Sequence, residues 1–356
     1  MTLQQTAKIA LSILALLAHA AVSEAAEPPS HTAIVQAAIE KHVIPHIDAL
    51  KEAAAQLPGA VASMCRTGSA AAKEDLSSRF RNVVKAYAGI DFLRFGPMLE
   101  GGRRERLSFW PDPRGFVGRQ LRLILLNKDE AVVQPGAIAK QSVAVQGLSA
   151  LEGLMTDKEF PLGPGEALRY RCELAEAIAA NIVSVADEIS DGWEKPGGWK
   201  DKMLHPGADN DTYKSPEESA GELVKALLVG LSLTADLQLK PQVKPGVKLV
   251  PPFQKSGLQK AFYASSVESL RSLYDALDLE DYLAPDKDWI KNWTGGAWRA
   301  IESSDGVGGR ARRAPRNDAP PLREVFDKMN GLRKLVIGEM SVAAGLTVGF
   351  NELDGD

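Results

Sequence analysis

The chain has 356 residues, 45% of them hydrophobic, and carries 46 acidic against 42 basic side chains for a net charge of −4. A mildly acidic balance argues against a nucleic-acid partner, because such binding is dominated by neutralisation of phosphates. The length exceeds what one hydrophobic core usually serves, so two domains are expected.

The first feature along the chain is an export signal. Lys8 precedes an apolar run from Ile9 to Val22, and Ser23 and Ala25 supply the small residues of a peptidase site. The run is about 14 residues long, short of the ~20 that span a bilayer as a helix. Residues 1–25 therefore read as a cleavable signal peptide, and no other segment is apolar enough to form a transmembrane span. No Cys lies near the cleavage point, so no lipid anchor is expected. The mature chain is expected to be soluble and periplasmic.

Helical periodicity dominates the remainder, and about nine helices are expected. One lies near residues 32–57, followed by a stripe of Leu76, Phe80, Val83, Val84, Tyr87 and Ile90. Shorter helices are expected near 116–126 and 137–156. Leu168, Cys172, Ala175, Ile178, Ile182, Val185 and Ile189 make a longer stripe. Ser215-Pro216-Glu217-Glu218 is the clearest helix start, with a capping Ser, a Pro suited to the first turn and a Glu that completes a capping box. That helix runs through Leu237, and Pro241 is expected to end it. Stripes at 258–277, 289–301 and 322–336 predict three more. Val243 to Val250 is the one weak strand candidate.

Three Pro- and Gly-rich segments read as linkers: Gly192–Pro216, Lys240–Lys255 and Ser303–Pro321. Taking the first as the boundary gives an all-α protein of two antiparallel helical-bundle domains, 26–200 and 201–356. Cys65 and Cys172 are an even pair in an exported chain, so a disulfide is expected. It would close a loop of about 107 residues, worth roughly 4–5 kcal/mol in the chain-entropy account.

Four places could carry chemistry. His42 and His46, four apart, would share a helical face as metal ligands, although two neighbouring His on an exposed first helix are more often solvated. No His-Glu-x-x-His pair occurs in the sequence. On the helix Gly147-Leu148-Ser149-Ala150-Leu151-Glu152-Gly153, Ser149 and Glu152 share a face, and the flanking glycines let a backbone or a ligand approach. A carboxylate on this otherwise apolar helix needs a partner if buried. The third place spans Leu93-Arg94-Phe95-Gly96-Pro97 and Phe109-Trp110-Pro111-Asp112-Pro113-Arg114-Gly115, stiff and rich in Arg, which suits contact with carboxylates or phosphates. The fourth is the basic run Arg310–Arg316, which reads as a solvated loop.

Together these segments resemble the imelysin-like family of exported bacterial proteins, the insulin-cleaving membrane protease and iron-regulated protein type. The likeness extends through Arg171-Cys172, Ala179-Ala180-Asn181-Ile182, Leu273-Tyr274-Asp275-Ala276-Leu277 and the tail from Gly345 to Asp356. The resemblance implies an all-helical fold of two bundles, a cell-envelope location, a role in iron uptake, and iron or another divalent metal as cofactor. Its motif Gly-x-His-x-x-Glu, named for metal binding, is matched here by Gly147 and Glu152, with Ser149 in place of the His. A hydroxyl is a poor ligand beside imidazole, so this departure weakens the peptidase reading.

The leading expectation is a periplasmic binding protein linked to iron acquisition. Gly147, Ser149, Glu152, Arg94, Asp112 and Arg114 are its expected ligand-binding residues, with Glu152 the one metal candidate. A metal-dependent peptidase and a non-catalytic helical interaction module of the cell envelope are the alternatives. The expected partner is an unidentified small ligand or an envelope protein.

Overall fold

The computed structural model describes residues 28–244, 246, 249–304 and 321–347. The expected signal at 1–25, the basic run Arg310–Arg316 and the last part of the tail, 348–356, lie outside the described residues. Every regular element among the described residues is helical, and those within 243–250 form no strand.

Helix α1 (His31–Ala38) starts at Ser30, whose Oγ accepts the Ala33 N–H at 3.2 Å. A π-helical turn, Ile39–Val43, leads into α2 (Ile44–Ala55), where Pro45 sits in the first turn and needs no N–H. The expected helix at 32–57 is thus two helices joined by a wider turn. This corrects the solvated alternative for His42, which is fully buried. Its Nδ1 lies 3.2 Å from Ser272 Oγ, and burial, followed by the neighbouring His46, pushes its pKa well below the ordinary histidine value.

Helix α3 (Leu57–Thr67) escaped the sequence reading, because its buried stripe, Leu57, Ala60, Val61 and Met64, is short. Helix α4 (Ala70–Ala88) buries the predicted Leu76, Phe80, Val83, Val84 and Tyr87. Then come α5 (Arg103–Leu107), α6 (Phe116–Asn127), α7 (Leu148–Met155) and the long α8 (Arg169–Glu194). The predicted 137–156 helix is shorter than expected: two 3-10 turns precede α7. Cys65 and Cys172 form the expected disulfide, with Cα atoms 5.7 Å apart, tying the end of α3 to the start of α8.

The Gly192–Pro216 segment holds a helix of its own, α9 (Trp199–Leu204). Trp199 packs against Phe95 and Tyr213 and donates its Nε1–H to Glu100 at 2.9 Å. Gly96 is required here: its φ is +55°, and a Cβ would stand 2.6 Å from the Trp199 ring. Helix α10 (Pro216–Ser232) begins as predicted, with Ser215 Oγ accepting the Glu218 N–H at 3.4 Å. Pro241 does not end it. A π-helical stretch, Leu233–Leu239, carries the chain into α11 (Lys240–Val243), where the proline again occupies a first turn. Helices α12 (Gln259–Leu277), α13 (Asp288–Ser303) and α14 (Leu322–Leu335) follow, and a last π-helical turn, Val336–Met340, leads to α15 (Ser341–Ala343).

Helices α2, α3, α4 and α8 pack as one bundle, while α10 packs with α1, α12 and α14. Helix α12 also lies along α4, and one hydrophobic core runs through both groups. Among the described residues, no helix is long and apolar enough to cross a membrane.

Candidate functional site

The site is built around the start of α7. Gly147 stands just before the helix, so close to the end of α5 that a Cβ would lie 2.2 Å from the carbonyl oxygens of Arg106 and Leu107. Only glycine permits that approach. The neighbouring Gln146 is anchored on both sides. Its Oε1 accepts from Arg106 Nε at 3.1 Å, and its carbonyl accepts from Asn181 Nδ2 at 2.8 Å. Arg106 in turn holds Glu188 through two bonds of 2.8 and 3.0 Å, and Arg103 adds a third at 3.0 Å. These arginines lower the Glu188 pKa, the Arg106 hydrogen bond first, against a smaller opposing effect of burial. Helices α5 and α8 thereby clamp the entry to α7.

From this start the helix aims its two polar side chains at different partners. Ser149 Oγ donates to the Phe109 carbonyl at 3.3 Å and lies 3.4 Å from Ser108 Oγ. Glu152 is only 7% exposed. Its Oε1 accepts the Ser256 N–H at 2.8 Å and the Ser256 hydroxyl at 2.6 Å. The hydroxyl's single proton goes to this nearer carboxylate, with the Phe253 carbonyl 3.1 Å away. Phe253 adopts a left-handed backbone, φ 55°, and its carbonyl accepts the Leu258 N–H at 2.9 Å, which turns the loop toward α7.

The remaining expected ligands have contacts of their own. Asp112 uses both carboxylate oxygens to cap α6, accepting the N–H of Phe116 at 2.8 Å and of Val117 at 3.0 Å. Arg114 is exposed at the same turn. Arg94 is half-buried beside a different group. There the Tyr87 hydroxyl donates to Asp91 at 2.5 Å, and Arg94 and Arg104 lie near enough for their charges to act on the tyrosine. Burial above all, then the Asp91 charge, drives the Tyr87 pKa well upward, and the two arginines oppose this. Tyr87 stacks on Phe262 at 6.0 Å, and Phe262 meets Phe253 at 5.2 Å, so this buried polar group backs onto the loop that carries Ser256.

Ser256, the partner of the motif carboxylate, is the site residue that sequence reasoning missed. Its one local signal is the Ser256-Gly257 dipeptide, a turn signature without chemistry of its own.

The donors available at the motif do not fit a firmly held metal. They amount to one carboxylate, already accepting two hydrogen bonds on one oxygen, and one hydroxyl that donates to a carbonyl. Tight zinc or iron sites need three or four nitrogen, sulfur or carboxylate ligands. Among the described residues, no group of three or more His, Cys, Asp or Glu side chains is arranged to hold a metal ion.

Two solved structures share the fold. An imelysin-like protein from Psychrobacter arcticum 273-4 superposes with a TM-score of 0.71 at 15% identity, covering 90% of this chain and 97% of that one. A protein named as an iron-regulated protein A precursor from Parabacteroides distasonis ATCC 8503 does so with a TM-score of 0.61 at 14% identity, covering 90% and 96%. No curated protein sequence matches the chain. Residues 43–293, well over half the chain, match the family model for imelysin, Peptidase_M75. With its helical architecture and the Gly147–Glu152 helix inside that matched span, the chain belongs to the imelysin family.

Proposed function

We propose that the chain is an exported cell-envelope binding protein connected with iron acquisition, and that it does not hydrolyse peptides. The observation that carries the non-peptidase half is Ser149. It stands where the family motif has its metal-binding His, and its hydroxyl is spent on the Phe109 carbonyl. A metallopeptidase needs an ion that activates water, and one buried carboxylate offers too few ligands to hold it. Support for the iron connection comes from family membership and from the neighbour named as iron-regulated. The signal-like residues 1–25 support export.

Two measurements on protein from its native compartment test this reading. Its level is expected to rise under iron limitation, and the purified protein is expected to show no chelator-sensitive cleavage of peptides. A level indifferent to iron removes the iron connection. Cleavage abolished by a chelator and restored by added metal establishes the peptidase instead.

A further inference from the structure

A cleft of about 610 Å3 opens between α6, α7 and the start of α8, on the side of α7 away from the Gly147 entry. That volume lies within the range of small-molecule sites. Much of its lining is apolar: Leu121, Leu125, Leu126, Leu154, Phe160 and Leu168. Two of these are conspicuous on the surface: Leu126 is 72% exposed and Phe160 52% exposed. Side chains this apolar and this exposed, gathered at one cleft, mark a surface that something apolar covers.

The same lining carries cations. Arg122, Lys128, Arg171 and Lys255 stand there beside Asp157 and Glu159. Arg171 is the decisive one. It is only 6% exposed, its Nη2 donates to the Leu154 carbonyl at 3.1 Å and to Asp157 at 3.0 Å, and its Nε is buried with no hydrogen-bond partner. A buried guanidinium left short of partners carries a desolvation cost that a second anion would relieve. The single carboxylate of Asp157 is shared with the N–H groups of Glu159 and Phe160, so it leaves Arg171 only partly matched.

A second cavity of about 470 Å3 continues past Thr156, Asp157 and Lys255, which line both. It adds Lys73, Arg81 and Lys158 and no further carboxylate. Seven cations thus face two carboxylates on a chain whose net charge is −4. So local an excess of positive charge on an acidic protein selects anions and draws them in.

We infer that the cleft between α6, α7 and α8 binds a small amphipathic organic anion, a carboxylate with an alkyl or aryl body. The carboxylate meets Arg171 and Lys255, and the body lies against Leu125, Leu126 and Phe160. This site goes beyond the iron reading and does not rest on it. Glu152 takes no direct part. It fixes Ser256, which lines the second cavity beside Lys255, and so positions that wall.

Calorimetric titration of the full mature chain with octanoate, octylamine and inorganic phosphate tests the assignment. Octanoate is expected to bind at least tenfold more tightly than octylamine, which shares its body and reverses its charge, and more tightly than phosphate, which has charge alone. Arg171→Met is expected to weaken octanoate tenfold or more. Should that variant fail to fold, the exposed pair Arg122→Gln/Lys255→Gln decides, with an expected loss of threefold or more. No octanoate binding, equal binding of octylamine or phosphate, or affinity unchanged in the folded variants overturns the proposal.

Discussion

Glu152 and Ser256, 104 residues apart, are joined by two hydrogen bonds to one carboxylate oxygen, from the Ser256 N–H at 2.8 Å and its hydroxyl at 2.6 Å. The carboxylate that the family motif would give to a metal here closes a loop instead. Charge-assisted bonds to a buried group are worth roughly 1.5–3 kcal/mol each. Glu152→Ala should therefore lower unfolding free energy by about 2–4 kcal/mol, since it also strands the Ser256 N–H. Ser256→Ala should cost about 1–2 kcal/mol, and the double variant should cost less than the sum. Denaturant titrations of the four proteins read the coupling. Strict additivity would show that the pair does not interact.

The two glycines of the motif helix should behave differently. At Gly147 an added Cβ meets two backbone carbonyls at 2.2 Å, and backbone cannot yield cheaply. Gly147→Ala is expected to cost about 3 kcal/mol or to prevent folding. At Gly153 the nearest atom is the flexible end of Leu121, at 3.0 Å, and the backbone is helical. Gly153→Ala should stay within about 1 kcal/mol of the parent, because gained helix propensity offsets the contact. Comparable thermal midpoints for the two variants would contradict this.

Asp112 is a cap. Asp112→Ala should cost about 0.5–2 kcal/mol, the range for a lost helix cap, and Asp112→Asn should recover part of it. Because the Phe116 and Val117 N–H groups lose their acceptor, their hydrogen exchange should accelerate in the alanine variant. Unaltered exchange at those two amides would remove the cap assignment.

Stability should fall in acid through Glu188. Its pKa is lowered on folding, so its contribution is fully present above the ordinary carboxylate value and is lost as pH drops through the lowered, folded value. At neutral pH, Glu188→Gln should destabilise by about 1–2 kcal/mol, allowing for the screening that its partial exposure brings. That difference should shrink steadily below about pH 4, near the ordinary carboxylate value. A difference independent of pH would mean that the arginine clamp contributes nothing through charge.

Removal of the disulfide by Cys65→Ala/Cys172→Ala should cost about 2–5 kcal/mol, because the bridge spans 107 residues of otherwise free chain. The loss should appear in the denaturant midpoint. Spectra of the folded state should stay those of a helical protein.

Much of the fold was legible in the sequence because one period governs it. The buried stripe of α4 from Leu76 to Tyr87 and that of α8 from Cys172 to Ile189 follow directly from 3.6-residue spacing. The start of α10 at Ser215-Pro216 was equally plain, since capping is local chemistry. Where the period shifts, sequence reasoning failed. The π-helical turns at 39–43 and 233–239 each insert extra residues, and they hid the burial of His42 and the passage through Pro241. In the first of these turns His42 meets a residue far along the chain, Ser272.

The sequence by itself determined that this chain is all-helical, that its cysteines pair, and that it resembles the imelysin family with the motif His replaced by Ser149. Each of these rests on residue identity or on short-range periodicity. Only the tertiary structure decided what the polar side chains do. It gave Glu152 to Ser256 and Asp112 to the start of α6, and it set Arg94 beside Tyr87 and Asp91. It also gathered Arg171 and Lys255, 84 positions apart in sequence, onto one cleft. A buried charge must find its partner somewhere, and spacing along the chain carries no record of which distant loop will supply it.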